Sequence, residues 1–179
     1  MLNAIYACKA QLIKAGHHLH EIALPATLAD MLNTQKVIQD VESARAYGEL
    51  LQSHRHQLTP ALAHVLDQGA AIPEHIYQQA LEDRQRAIKL STEMMADIDA
   101  WLLPAATGEA PLGLTSTGDP LFNRLASGLG FPALSVPMPR KSHASHEMPL
   151  GLQLVGRFGQ DAALLSTGLR ISRTLSLVA

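Results

Sequence analysis

Four short apolar runs constrain the fold of this chain more than any other feature of its sequence. Each run is four or five residues long and is followed by proline or flanked by glycine, which is the length and punctuation of a buried strand. A proline at the end of a run cannot donate to a strand ladder and therefore stops the strand. The predicted strands are His20–Leu24, Trp101–Pro104, Ala133–Val136 and Leu152–Val155.

Most of the remaining chain predicts helices, because apolar residues recur there at helical spacing. Two helix starts, Thr59-Pro60 and Asp119-Pro120, place a capping residue before a proline at the first helical position. Gly48 is a candidate break within a long helical stretch. Short apolar strands together with many helices favour an α/β fold, with a mixed sheet flanked by helices. The predicted helices cover residues 3–15, 27–55, 60–68, 73–99, 120–128 and 160–175.

Composition and charge argue against several classes of partner. The formal net charge of −2 gives no basic face for nucleic acid and no attraction to an anionic membrane surface. The sequence has no run of about 18 apolar residues, so no transmembrane helix is expected. Cys8 is the single cysteine, which excludes an internal disulfide and favours a reducing compartment. Lys9 and Lys14 interrupt the first 16 residues, which lack the apolar run of a signal peptide, so the cytoplasm is the expected location.

A series of motifs in the last 80 residues resembles the C-terminal section of the amidase signature family. Each motif alone is weak, but the combination at this spacing is specific. The resemblance implies that residues 1–179 are the C-terminal portion of a single amidase-signature domain, with its catalytic N-terminal portion absent. The motifs are Trp101-Leu-Leu-Pro104, Thr117-Gly-Asp-Pro120 with Phe122-Asn123, Gly130-Phe-Pro-Ala-Leu-Ser-Val-Pro137 and Met148-Pro-Leu-Gly-Leu-Gln-Leu-Val-Gly156.

The resemblance implies an α/β/α fold and hydrolysis of an amide C–N bond by a Ser–cis-Ser–Lys triad. In that family one serine attacks the carbonyl, a second serine relays a proton, a neutral lysine is the base, and glycine-rich backbone forms the oxyanion hole. The family signature is a Gly/Ser-rich run with adjacent serines. This sequence contains no adjacent serines, and none of its five lysines precedes such a run. We therefore expect no catalytic residue and no cofactor in this chain, and no activity from the chain alone.

Two function hypotheses follow from this departure. In the first, the chain supplies pocket walls to an amidase that acts on a small-molecule amide, while the triad lies elsewhere. In the second, it is a non-catalytic α/β module or remnant that acts through a partner. The A subunit of tRNA-dependent amidotransferases is a less favoured subtype because no basic tract suits tRNA, although another subunit can carry that contact. The family resemblance also leaves a homodimer open, and the sequence does not identify the substrate.

The segment from Thr115 to Asp119 is the most site-like part of the sequence, because it brings hydroxyls and a carboxylate to a helix N-terminus. Thr117, Asp119 and Asn123 are the predicted substrate-binding residues. The alternative for Asp119 is that it only caps the helix that follows. The alternative for Asn123 is an ordinary surface position.

Ser135 and the histidines have reactive side chains, but their sequence patterns predict no site. Ser135 lacks the Gly-x-Ser-x-Gly elbow of a strand-borne nucleophile, and alternation along a strand explains it. Seven of the nine histidines fall in three short clusters that lack cysteine partners and the H-E-x-x-H pattern. The clusters are His17, His18 and His20; His54 and His56; and His143 and His146. We therefore predict no metal site.

Overall fold

The computed structural model describes residues 1–139 and 148–176, which contain six α-helices and three strands. The helices are α1 Leu2–Lys14, α2 Ala26–His54, α3 Pro60–Ala71, α4 Glu74–Met94, α5 Leu121–Leu129 and α6 Asp161–Ser176. The strands are β1 Trp101–Pro104, β2 Ala133–Pro137 and β3 Gly151–Val155. The chain divides into two compact units, one built from the residues up to Leu24 and from Ser91 onward, the other from Pro25–Leu90.

The first unit is built on a three-stranded sheet in which β3 lies between β1 and β2. Both neighbours pair with β3 in antiparallel register, so that Leu103 and Ser135 stand opposite Gln153. The α/β class predicted from the sequence is confirmed. The described strands nevertheless form an antiparallel sheet, whereas the sequence predicted a mixed one.

The predicted strand His20–Leu24 is wrong. These residues form a connection without regular secondary structure and without strand pairing to any described residue, and about half of the surface of Ile22 and of Leu24 is exposed. The run has the composition of a strand, but an extended segment becomes a strand only where a neighbour satisfies its backbone groups. Glu21, in the middle of the run, instead pairs with Lys9 of α1.

The core of this unit lies on one face of the sheet, where α1 and α6 cover it. Leu152 and Leu154 of β3 point to this face, and alternation along the strand places Gln153 on the opposite face. Gly168 allows α6 to approach closely, because a β-carbon there would lie 2.1 Å from a methyl carbon of Leu134. The remaining buried members of the cluster are Cys8, Leu12, Val136, Met138, Leu164, Ile171 and Leu175.

The second unit consists of helices. Thr59 caps α3 as predicted, with its Oγ1 accepting a hydrogen bond from the Leu62 backbone N–H at 3.3 Å. The candidate break at Gly48 is wrong, because α2 continues through it to His54. One glycine costs a helix only about 1 kcal/mol, and the packing of α2 along α3 within this unit offsets that amount.

None of the helices in the described residues combines the length and the apolar character needed to cross a membrane.

Candidate functional site

The loop between β1 and α5 contains Thr117 and Asp119, and Asn123 follows in the first turn of α5. Two glycines with left-handed backbone shape this loop, Gly113 at φ 85° and Gly118 at φ 87°, a conformation that favours glycine over all other residues. The Gly118 backbone N–H donates to Ser116 Oγ at 3.1 Å, which closes a tight turn just before α5. Every residue from 111 to 120 is exposed, so the loop presents its hydroxyls and its carboxylate to solvent.

A pair of carboxamide side chains links the start of α5 to the central strand. Gln153 Nε2 donates to Asn123 Oδ1 at 2.6 Å. Asn123 Nδ2 in turn donates to the backbone carbonyl of Ala105 at 3.4 Å, where the loop leaves β1. Asn123 lies in the first turn of α5, so these two hydrogen bonds tie together a strand, a loop and a helix.

The direction of these hydrogen bonds is set by the backbone. A carbonyl oxygen can only accept, so the Asn123 atom facing Ala105 must be the donor nitrogen. Asn123 Oδ1 therefore faces Gln153, and the Gln153 atom facing it must again be the donor nitrogen. The remaining Gln153 atom, Oε1, is buried and has no hydrogen-bond partner among the described residues. Such an acceptor costs about 1–3 kcal/mol unless a donor or an ordered water reaches it.

The backbone of β3 next to Gln153 is closely packed against its two neighbouring strands. A β-carbon on Gly151 would lie 2.7 Å from Ser135 Oγ and 2.8 Å from the β-carbon of Ala105. Only glycine therefore fits at Gly151 without a shift of its neighbours. Ser135 is exposed and stands opposite Gln153 in the register. Within the described residues no lysine or histidine hydrogen-bonds to Ser135, so the structure pairs it with no base.

The three predicted site residues are placed differently. Asn123 contacts the carboxamide of Gln153, whereas the side chains of Thr117 and Asp119 are exposed and form no hydrogen bond within the described residues. The capping alternative for Asp119 is wrong, because α5 begins at Leu121 and its cap position is Pro120, without a side-chain hydrogen bond. Whether any of the three binds substrate stays a prediction.

Gln153 was not among the predicted site residues, although the sequence contains its signal. It is a polar residue between two leucines of an apolar run, and only 5% of its surface is exposed. A buried amide must find hydrogen-bond partners. Its partner Asn123 is 30 residues away, and the tertiary fold brings the two together.

No thiol, amine or imidazole group of the described residues hydrogen-bonds to this pair. Cys8 is buried in the core, and burial raises the pKa of its thiol, which disfavours the reactive thiolate. Lys9 and Lys36 form ion pairs with Glu21 and Asp40. The described histidines, cysteine and carboxylates form no group of three that could hold a metal ion. Lys141, His143 and His146 lie outside the described residues.

Comparison with known proteins identifies the family. The family model for amidases matches residues 1–165, which is nearly the whole chain. This chain belongs to the amidase signature family.

Within the amidase signature family, the chain is similar to parts of longer proteins. The A subunit of mitochondrial glutamyl-tRNA(Gln) amidotransferase from Coccidioides posadasii (strain C735) is 30% identical over 107 residues, or 55% of this chain and 21% of that protein. A crystal structure of an amidase matches with a TM-score of 0.83 and 25% identity, over 97% of this chain and 41% of the other. The allophanate hydrolase of Kluyveromyces lactis matches with a TM-score of 0.80 and 16% identity, over 97% of this chain and 29% of the other, which shows the fold alone.

The chain thus spans about two fifths of the amidase structure and about a fifth of the curated relative.

Proposed function

We propose that this chain forms one wall of the substrate pocket in a hydrolase that cleaves a carboxamide C–N bond. The observation that carries the proposal is the Asn123–Gln153 carboxamide pair, held at the start of α5 beside an exposed polar loop. A carboxamide offers both a donor and an acceptor, which are the two groups needed to match a substrate amide. Membership of the amidase signature family supports the class of reaction.

In this proposal the chain binds and orients a small-molecule amide, while residues outside 1–179 supply the chemistry. The chain has no adjacent serines, so the nucleophile, the relay serine and the lysine base are assigned elsewhere. Thr117 and Asp119 are proposed to accept hydrogen bonds from substrate N–H groups, since both are exposed on the loop that leads to Asn123. No cofactor is required, because an activated serine and an oxyanion hole suffice for acyl transfer.

The enzyme subtype, the cellular location and the oligomeric state are also part of the proposal. The similarity to an amidotransferase A subunit gives that subtype more weight than the charge of the chain alone gave it. The cytoplasm is proposed because the single cysteine, Cys8, is free, which suits a reducing compartment. A homodimer is proposed from the family resemblance, with neither nucleic acid nor a membrane surface as partner.

The test compares the chain alone with the same chain joined to the N-terminal portion of an amidase-signature domain. Both are assayed against a panel of simple amides and labelled with a serine-directed sulfonyl fluoride. We expect turnover only from the joined polypeptide, and a label on a serine outside residues 1–179. A label on a serine of this chain, accompanied by turnover, would refute the division of labour.

The second candidate is a non-catalytic α/β module that acts through a partner, and the lack of adjacent serines is the observation that favours it. The same assay separates the two. If the joined polypeptide hydrolyses no amide of the panel and takes up no label, the module replaces the hydrolase as the better account.

A further inference from the structure

Gln153 is an unusual residue for its position. It lies in the middle of the central strand, between Leu152 and Leu154, which are buried in the core. An apolar residue there would avoid the desolvation of a side-chain amide. Gln153 instead keeps an N–H bonded to Asn123 and an oxygen without a partner in the described residues. Within the described residues, the hydrogen bond to Asn123 is the polar contact that its side chain makes.

The effect on Asn123 is to fix an otherwise free side chain. Asn123 is exposed on the first turn of α5, where an asparagine normally samples several rotamers. The hydrogen bond from Gln153 and the hydrogen bond to Ala105 hold both ends of its carboxamide. A group fixed before binding loses less conformational entropy when a ligand arrives.

The fixed carboxamide still has unused hydrogen-bonding capacity. An asparagine side chain has two N–H donors and two oxygen lone pairs. One donor is used by the Ala105 carbonyl and one lone pair by Gln153. One N–H and one lone pair remain on an exposed side chain. These two match the carbonyl oxygen and the N–H of another amide.

We infer that Gln153 is a positioning residue, and that it holds Asn123 to recognise a substrate amide with an N–H cis to its carbonyl, as a primary amide has. The substrate carbonyl accepts from Asn123 Nδ2, and the substrate N–H donates to Asn123 Oδ1. A fully N-substituted amide keeps the first hydrogen bond and loses the second. This inference rests on the proposed function for its ligand class, and its first test does not require catalysis.

The test is a nuclear magnetic resonance titration of the chain, which follows the side-chain amide of Asn123. The probes are butyramide and N,N-dimethylbutyramide, which differ in their N–H groups. We expect butyramide to shift the Asn123 resonance saturably and to bind about tenfold more tightly than the dimethyl compound, as for the loss of one hydrogen bond. An Asn123 resonance that neither probe shifts would overturn the inference.

Variants separate positioning from a structural role. Gln153→Met keeps the length of the side chain and removes its amide, and should weaken butyramide binding about tenfold. Gln160→Met is the matched control at an exposed position and should leave the affinity unchanged. In an Asn123→Ala background, Gln153→Met should have no further effect on affinity while it still lowers Tm. If Gln153→Met lowers Tm but leaves butyramide affinity intact, Gln153 is only structural.

Two further results keep the test decisive. If Gln153→Met does not fold, Asn123→Ala alone must abolish the butyramide-induced shift of the Ala105 backbone resonance, and a retained shift overturns the inference.

In the joined polypeptide, Gln153→Met should raise KM for primary amides and leave kcat nearly unchanged. Butyramide binding at Asn123 without any turnover by the joined polypeptide would refute the proposed hydrolase activity and support the recognition site. Turnover by the joined polypeptide with a KM that Gln153→Met leaves unchanged would support the hydrolase activity and refute the recognition site.

Discussion

Asp119 has two candidate roles, as the cap of helix α5 and as a substrate-binding residue. Helix α5 begins after Pro120, and within the described residues Asp119 makes no capping hydrogen bond. Its carboxylate is exposed on the loop that leads to Asn123. The structure therefore removes the reason for expecting Asp119 to stabilise the helix as a cap, and leaves substrate binding as the role to test.

Asp119→Ala should change the free energy of unfolding by less than about 0.5 kcal/mol, as for an exposed side chain without a structural contact. In the polypeptide joined to an amidase N-terminal portion, it should raise KM about tenfold or more for substrates whose N–H it accepts, since a charged hydrogen bond contributes about 1.5–3 kcal/mol. Thermal denaturation and steady-state kinetics on one variant measure both effects. Asp97→Ala, at another exposed aspartate, is the control. Unchanged kinetics would remove Asp119 from the site.

Sequence reasoning reached one half of the carboxamide pair. Asn123 was predicted because its motif and its position in the first turn of a helix are both local features. Gln153 was missed as a site residue because its role depends on the tertiary fold, which brings together residues 30 apart. Local periodicity predicts that a strand exists, but it contains no information about which neighbour faces a given side chain.

Two helical glycines, Gly48 and Gly69, differ in how closely they are packed. A β-carbon added to Gly48, within α2, would meet no atom within 4 Å, whereas a β-carbon on Gly69 would lie 2.0 Å from the backbone oxygen of Asp40. The first is a glycine the fold tolerates, and the second is a glycine the contact between α2 and α3 requires.

Gly48→Ala should therefore stabilise the chain by about 0.5–1 kcal/mol, because alanine restricts the unfolded backbone and favours the helix. Gly69→Ala should destabilise it by about 1–3 kcal/mol, because backbone atoms must move to admit the methyl group. Urea denaturation of the two variants beside the parent chain tests the pair, and each serves as the control for the other. Effects of the same sign would contradict the packing of α2 on α3.

Element boundaries were predictable where the chemistry is local. Thr59 before Pro60 marked the start of α3, and three of the four apolar runs became strands. The run at His20–Leu24 failed because no neighbouring strand pairs with it in the described residues. The end of α4 was predicted near Asp99 but lies at Met94, since a helix end without glycine or proline has no sequence marker.

At the scale of the whole molecule, Cys8 reports on the integrity of the unit that contains the sheet. Its side chain is 2% exposed within the core, and burial raises the pKa of the thiol. Alkylation by iodoacetamide should be much slower in the folded chain than in urea, since both access and the thiolate are suppressed. The labelling rate should rise with urea in parallel with the loss of helical circular dichroism. Rapid labelling of the folded chain would show that this core opens readily.

The order of the strands along the chain has a consequence for biosynthesis. β1 and β2 each pair with β3, which is the last of the three to be translated. β1 is complete at residue 104 and β2 at residue 137, so both lack their β3 partner until synthesis reaches residue 151. The arrival of β3 joins the two strands in one event, and the carboxamide of Gln153 reaches Asn123 in that same event.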